Sequence, residues 1–317
     1  MDHTRALTDA VAAFAKEHFA ADRRVCVALS GGPDSLALTA AAIGADLAVT
    51  ALVVDHGLQP ESAGTAAEAA AAAEQLGADA RVLPVTVGAD GGLEAAARAA
   101  RYGALDGARE GRPVLLGHTL DDQAETVLLG LARGSGPTSL SGMRAWRQPW
   151  GRPLLSVRRA DTVAACAEWG LHPFDDPHNS DPRFTRVRVR TEVLPLLDDI
   201  LGGGVPRALA RTADMLAADD EALAGLADEL AATTTTPDGL RLSPLRAAPT
   251  ALRTRVLRRW LLDGGATEPT GRVIAAVDQL VIGAPGRGAV AVGGDPATRL
   301  TVARDGDLLV WRTAPRG

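Results

Sequence analysis

Short apolar runs alternate with helix-patterned segments through the first half of the chain. Residues 24–29, 47–54, 81–87 and 113–117 are runs with the length and composition of buried strands. Residues 35–43, 61–76, 93–109 and 121–133 carry apolar positions at helical spacing. Strands that alternate with helices predict βαβ units, and so an α/β fold with a mainly parallel, doubly wound sheet. Beyond residue 137 the rhythm fades. Gly, Pro and Trp punctuate 134–153, residues 161–169 read as a helix, and 173–182 read as an ordered loop rich in Asp, Pro and Asn. Helical patterns return over 191–201 and 205–230, followed by a turn or linker at 231–239. The rest reads as a small α+β module, with helices over 249–262 and 270–280 and strands over 289–293, 298–303 and 307–312. The expected organisation is an α/β domain over 1–200, a helical connector over 201–240 and a small α+β domain over 241–317.

At 317 residues the chain exceeds what one hydrophobic core usually serves, which agrees with more than one domain. Aromatic residues make up only 3%, so aliphatic side chains and Ala must fill the cores. No apolar run is long enough for a membrane span, and the first residues lack the basic-then-apolar order of a secretory signal. Cys26 and Cys166 lie far apart and form no metal or redox spacing, so a reducing cytoplasm is expected. The net charge of −6 argues mildly against a nucleic-acid partner. Phosphate binding follows local patches, however, and the basic residues are almost all Arg, with Lys16 the sole lysine.

In an open parallel sheet, ligands bind outside the carboxyl ends of the strands. Ser30-Gly31-Gly32-Pro33-Asp34-Ser35 follows the first predicted strand, Asp55-His56-Gly57 the second, and His118-Thr119-Leu120-Asp121-Asp122-Gln123-Ala124-Glu125 the fourth. All three polar clusters are expected at one edge. In the first, glycines let backbone N–H groups approach a phosphate, serines donate, and a helix N-terminus follows. Asp34 repels phosphate unless a cation lies between them, which points to Mg²⁺. Taken alone, Ser-Gly-Gly would serve equally well as a tight strand-to-helix turn. The loop is neither a Walker A motif nor a dinucleotide-binding glycine loop. In the third cluster, Asp121 and Glu125 share a helix face, with Asp122 close to Glu125. Acids in a first helical turn also suit the helix dipole. Arg183, Arg186, Arg188 and Arg190 form an alternating set, expected as a phosphate-binding stripe on one side of an extended segment, with salt bridging to nearby acids as the plainer alternative. Arg253, Arg255, Arg258 and Arg259 form a second basic patch, on a helix.

The pattern Ser-Gly-Gly-x-Asp-Ser resembles the loop of the PP-loop ATP pyrophosphatases. Val54-Asp55-His56-Gly57-Leu58, Arg101-Tyr102, Gly117-His118 through Thr126, Arg133-Gly134-Ser135-Gly136, Arg152-Pro153-Leu154-Leu155, Asp176-Pro177-His178-Asn179, Arg186 to Arg190 and Leu194-Pro195 follow in an order similar to that of the tRNA(Ile)-lysidine synthase family. The match runs over about residues 25–197. The resemblance implies a two-step ligase. ATP activates the C2 oxygen of the wobble cytidine in a CAU-anticodon isoleucine tRNA, and the side-chain amine of L-lysine then displaces AMP. It also implies that Ser30 to Ser35, His56 and Arg101 bind ATP, with Asp34 on Mg²⁺. His118, Asp121, Asp122 and Glu125 are implied to bind lysine, and Asp34, His118, Asp122 and Glu125 to be catalytic. Arg133, Asn179, Arg183, Arg186, Arg188, Arg190, Arg255 and Arg259 are implied to contact tRNA. Val187 departs from the family's Arg-Asn-x-x-Arg pattern, which removes a side-chain amide able to bond backbone or RNA. A homodimer is left open. The rival readings are a tRNA thiolase of the same superfamily and a non-catalytic ATP-binding module.

Overall fold

The computed structural model describes residues 2–19, 22–57, 61–88, 92–134, 136–174, 181–267, 269–283, 288–294 and 298–315. They form two compact units, residues 1–217 and 218–317.

The first unit is built on a six-stranded sheet. Its strands are β1 (Arg24–Ala28), β2 (Ala48–Asp55), β3 (Asp79–Pro84), β4 (Val114–Leu116), β5 (Trp146–Arg147) and β6 (Trp150–Gly151), in the order β3-β2-β1-β4-β6-β5. All pairings are parallel except the β5–β6 edge hairpin. The helices are α1 (His3–His18), α2 (Pro33–Gly44), α3 (Ser62–Gln75), α4 (Leu93–Ala108), α5 (Leu120–Ala132), the single turn α6 (Pro137–Leu140) and α7 (Arg159–Glu168).

Parallel strands covered on both faces are apolar throughout, and β1 shows how that burial divides. Val25, Val27 and Leu29 pack into a cluster with Leu7 and Val11 of α1, Leu36 and Leu38 of α2, and Ala165 of α7. Cys26 and Ala28 pack into another with Leu105 of α4 and Leu116 of β4. The sequence reading omitted α1, although Leu7, Val11, Phe14 and Ala15 are its buried face at helical spacing and Asp2 caps it.

Residues 185–190 overturn one expectation. Instead of an extended segment they lead into the helical stretch expected from 191, as α8 (Thr185–Arg188), a π turn (Val189–Val193) and α9 (Leu194–Ile200). Pro195 has no N–H for a regular helical ladder, and just before it the Leu194 N–H reaches back to the Val189 carbonyl. This stretch packs against α5 through Ala124, Val189 and Leu194.

α10 (Val205–Thr234) begins in the first unit and ends in the second, so residues 231–234, expected as linker, continue the helix. The second unit carries an antiparallel sheet of β7 (Thr235–Thr236), β8 (Gly239–Arg241), β9 (Val290–Gly294), β10 (Thr298–Asp305) and β11 (Leu308–Pro315), in the order β7-β8-β11-β10-β9. With it stand α11 (Leu242–Ala247), α12 (Thr250–Asp263) and α13 (Gly271–Ile282), around a core that includes Leu240, Leu257, Val277 and Leu309. Among the described residues no helix is long and apolar enough to cross a membrane.

Candidate active site

In the strand order β2-β1-β4, the chain leaves β1 to either side, and that reversal opens a crevice at the carboxyl ends of β1 and β4. The loop after β1 forms one wall. Gly31 takes a positive φ of 82°, and a Cβ there would meet the Ala69 Cβ at 3.3 Å. Ser35 Oγ closes the loop: it accepts from the Ser30 amide at 3.2 Å, lies 3.1 Å from Ser30 Oγ and donates to the Gly32 carbonyl at 3.0 Å. Gly32 caps α2 and Pro33 opens it, so the first turn of the helix presents its free amides to the crevice.

The turn after β4 forms the facing wall, in direct contact with the first. A Cβ on Gly117 would lie 3.0 Å from the Asp34 carbonyl carbon and oxygen, so any side chain here would push that backbone away by a few tenths of an ångström. Thr119 and Asp122 form a capping box on α5, in which the Thr119 amide donates to Asp122 Oδ2 at 2.8 Å. The other oxygen, Oδ1, accepts from Arg159 at 3.2 Å and from Arg190 at 3.1 Å. The Arg159 Nη2 that reaches it also stands 2.8 Å from Asp34 Oδ2, and Thr162 Oγ1 donates to Asp34 Oδ1 at 2.5 Å. Burial raises the pKa of Asp34, against the pull of Arg159 and Thr162. Burial also opposes ionisation of Asp122, but there Arg159, the Thr119 amide and nearby cations outweigh it and the pKa is lowered.

Glu125, one turn further along α5, is fully buried. Arg190 pairs with it at 2.6 Å and Arg186 at 3.1 Å. Burial raises its pKa against these cations. Asp121 turns to α7 instead, accepting from Arg158 Nε at 3.1 Å and from the Arg159 amide at 2.7 Å.

His118 is held neutral. Burial, with Arg152, Arg101 and Arg186 nearby, lowers its pKa to about 4 despite the Asp122 carboxylate. Its Nδ1, and that of His56 beyond β2, are buried without a hydrogen-bond partner. The His56 pKa is likewise lowered, by burial and by Arg101. The Arg101 charge acts on both imidazoles, and the guanidinium has no carboxylate partner among the described residues.

The arginine stripe is corrected by the helical conformation of residues 185–193. Arg186 and Arg190, four apart, face α5 together, whereas Arg188 pairs with Glu192 at 2.8 Å. Arg183 forks onto Asp181, Arg133 is exposed at the end of α5, and Asn179 lies outside the described residues. Arginines of the patch on α12 meet acids. Arg253 is buried against Asp278 at 2.5 Å, Arg255 pairs with Asp220 at 2.5 Å, and Arg259 pairs with Asp228. Sequence reasoning missed Arg159, Thr162 and Arg158, since nothing local marks the start of α7 as a neighbour of Asp34. It quoted Arg152 in a motif without giving it a role.

The cysteines bear on sulfur chemistry. Both are buried, and burial with the Asp34 charge pushes the Cys166 thiol up to about 11. Burial raises Cys26 as well. Neither is poised as a thiolate.

Residues 3–197 match the PP-loop domain family, and residues 240–304 match the TilS substrate binding domain. The chain is 59% identical to a tRNA(Ile)-lysidine synthase of Nocardia farcinica, over 98% of each chain. It is 56% identical to that of Mycolicibacterium paratuberculosis, over 98% of this chain and 97% of the other. Among solved structures, the U34-tRNA thiolase NcsA from Methanococcus maripaludis shares the fold. It has a TM-score of 0.54 and 16% identity, with 68% of this chain and 79% of that chain covered. With its PP-loop domain, its substrate-binding domain and relatives of this identity over nearly full length, the chain belongs to the tRNA(Ile)-lysidine synthase family.

Proposed function

We propose that the chain joins free lysine to C2 of the wobble cytidine in CAU-anticodon tRNA(Ile), at the cost of ATP, in the crevice between β1 and β4. The observation that carries this reading is the shared guanidinium. Arg159 bridges Asp34, on the loop suited to phosphates, and Asp122, on the turn suited to a cationic amine. Two ligands seated on those turns would be neighbours.

In the first step the cytidine O2 attacks the α-phosphorus of ATP and pyrophosphate leaves. In the second the lysine side-chain nitrogen attacks C2, AMP leaves with the oxygen, and the amine gives up a proton. The amides of Gly31, Gly32, Asp34 and Ser35, at the start of α2, hold the triphosphate. Arg101, with no carboxylate of its own, balances its charge. Asp34, with Asp122 beside it across Arg159, would hold Mg²⁺, which would supply positive charge against the triphosphate. Glu125 and Asp122, which accept guanidinium groups here, have the charge and hydrogen-bonding capacity to accept a lysine ammonium. His118, neutral and with a buried unpartnered nitrogen, suits a hydrogen bond that orients the amine, since a pKa of about 4 makes it a weak base. The arginines at 133, 183, 186 and 188, with Arg255 and Arg259 of the second unit, are the candidate contacts to tRNA.

A thiolase reading lacks its nucleophile, given two buried cysteines with raised pKa values. The deciding experiment incubates the chain with ATP, labelled lysine and unmodified tRNA(Ile) transcript. The proposal expects ATP-dependent label in the RNA at the wobble position, with AMP and pyrophosphate formed. Pyrophosphate release with no lysine in the RNA would defeat it.

A further inference from the structure

Surface arginines of the first unit are commonly matched by an acid. Arg24 pairs with Asp22, Arg81 with Glu110, Arg109 with Asp106 and Arg188 with Glu192. Arg98, Arg147 and Arg152 depart from this: among the described residues none has a carboxylate within ion-pair reach. They gather instead around an aromatic pair. The Arg98 guanidinium lies over the Tyr102 ring, 4.9 Å from its centroid, and reaches the hydroxyl at 3.5 Å. Tyr102 meets Trp150 edge to face, with centroids 4.7 Å apart. Arg152 bonds to Tyr102 and donates to the Arg144 carbonyl at 3.0 Å, while its Nε is buried without a partner. Burial and the charges of Arg98 and Arg147 hold the Arg152 pKa below its ordinary value. Three mutually repelling cations without an acid cost free energy unless an anion joins them.

The position of the cluster narrows what that anion is. Arg152 follows β6 as His118 follows β4, and the two strands are parallel, so both residues emerge at the crevice edge. β6 lies on the far side of β4 from β1, and the loop after β1 already offers its helix N-terminus to a triphosphate. The cluster therefore suits a second polyanion, bordering the same crevice. Unpaired RNA is held by stacking its bases on aromatic rings or guanidinium planes and by placing cations on its phosphates.

We propose that Arg98, Tyr102, Trp150, Arg147 and Arg152 form a docking surface for the unpaired anticodon-loop nucleotides that flank the reacting cytidine. A flanking base stacks on the Arg98–Tyr102 plane, and the adjoining phosphates lie against Arg147 and Arg152. This rests on the reading of the preceding subsection, since it takes the substrate to be a tRNA.

The test titrates the full chain with a fluorescent anticodon stem-loop over a range of salt concentrations. Wild type is compared with the double variant Arg98→Gln, Arg147→Gln. Both side chains are exposed, and a thermal melt checks that the fold is kept. The double variant is expected to bind about tenfold more weakly, with a salt slope shallower by about one for each phosphate no longer neutralised. Its affinity for an ATP analogue should stay at the wild-type value. A 4-thiouridine placed beside the cytidine should crosslink to the peptide carrying Tyr102 or Trp150. Unchanged affinity and slope, or crosslinks confined to other peptides, overturn the surface. The two readings fail separately. A wild-type chain that binds the stem-loop through these residues but never loads lysine keeps the surface and sinks the ligase. Normal lysine loading with unchanged binding by the double variant sinks the surface alone.

Discussion

Asp34 and Asp122 sit on different helices, and one nitrogen of Arg159 holds them together, 2.8 Å from the first and 3.2 Å from the second. Replacing Arg159 with Gln leaves two buried carboxylates facing each other. Breaking one side of such an arrangement typically costs about 3–5 kcal/mol. The pH dependence has a definite sign. The Asp34 pKa is already raised by burial, and loss of Arg159 removes the largest force lowering it. An acid whose folded pKa lies above its unfolded value binds more protons when folded, so stability falls as pH rises above the unfolded value. The deficit of Arg159→Gln is therefore expected to grow between about pH 4 and neutrality. Thermal melts across that range check it; a constant deficit would mean the guanidinium does not neutralise these acids.

Asp34→Ala removes the carboxylate nearest the phosphate loop. Pyrophosphate release is expected to fall by at least about a hundredfold, the scale of losing one preorganised charge-stabilising group. Release within a few-fold of wild type would remove Asp34 from the chemistry.

Glu125→Gln keeps the shape of the side chain and removes its charge. Lysine use should suffer more than adenylation, so KM for lysine rises while pyrophosphate release persists. An unchanged lysine dependence counts against Glu125 as the ammonium's partner.

Arg190 and Arg188 are two residues apart and should behave differently. Arg190→Ala strips the fully buried Glu125 of its nearer cation while Arg186 remains. A loss of about 2 kcal/mol is expected, short of the roughly 3–5 kcal/mol for an unrelieved buried charge. Arg188→Ala breaks only a solvent-screened surface pair with Glu192, so its stability should stay close to wild type. Denaturant unfolding of the two variants decides, and equal losses would contradict the assignment of faces.

The same pair of residues shows what sequence could and could not yield. Alternation at 186, 188 and 190 suggested one side of a strand, yet the backbone is helical, so residues four apart share the face. The central strands were legible because both of their faces are buried, as Val27 and Cys26 show on β1. The signal for α1 was present in Leu7, Val11, Phe14 and Ala15 and was overlooked. Ser30 to Ser35 and His118 to Glu125 were legible because each follows a strand whose end fixes its place. Arg159 and Thr162 reach Asp34 only through the packing of α7 on α2, and no local pattern announces a contact across that distance in sequence. Gly117 belongs with them: the room for a side chain there is limited by the Asp34 backbone beside it.

The central claim is that one crevice seats nucleotide and amine together. A crystal structure with a non-hydrolysable ATP analogue and free lysine tests it most directly. The account predicts phosphates against Gly31 to Ser35 and the lysine ammonium at Asp122 and Glu125, on the two flanks of Arg159. Lysine bound on another face of the sheet, with those carboxylates still closed on Arg159 and Arg190, would contradict it.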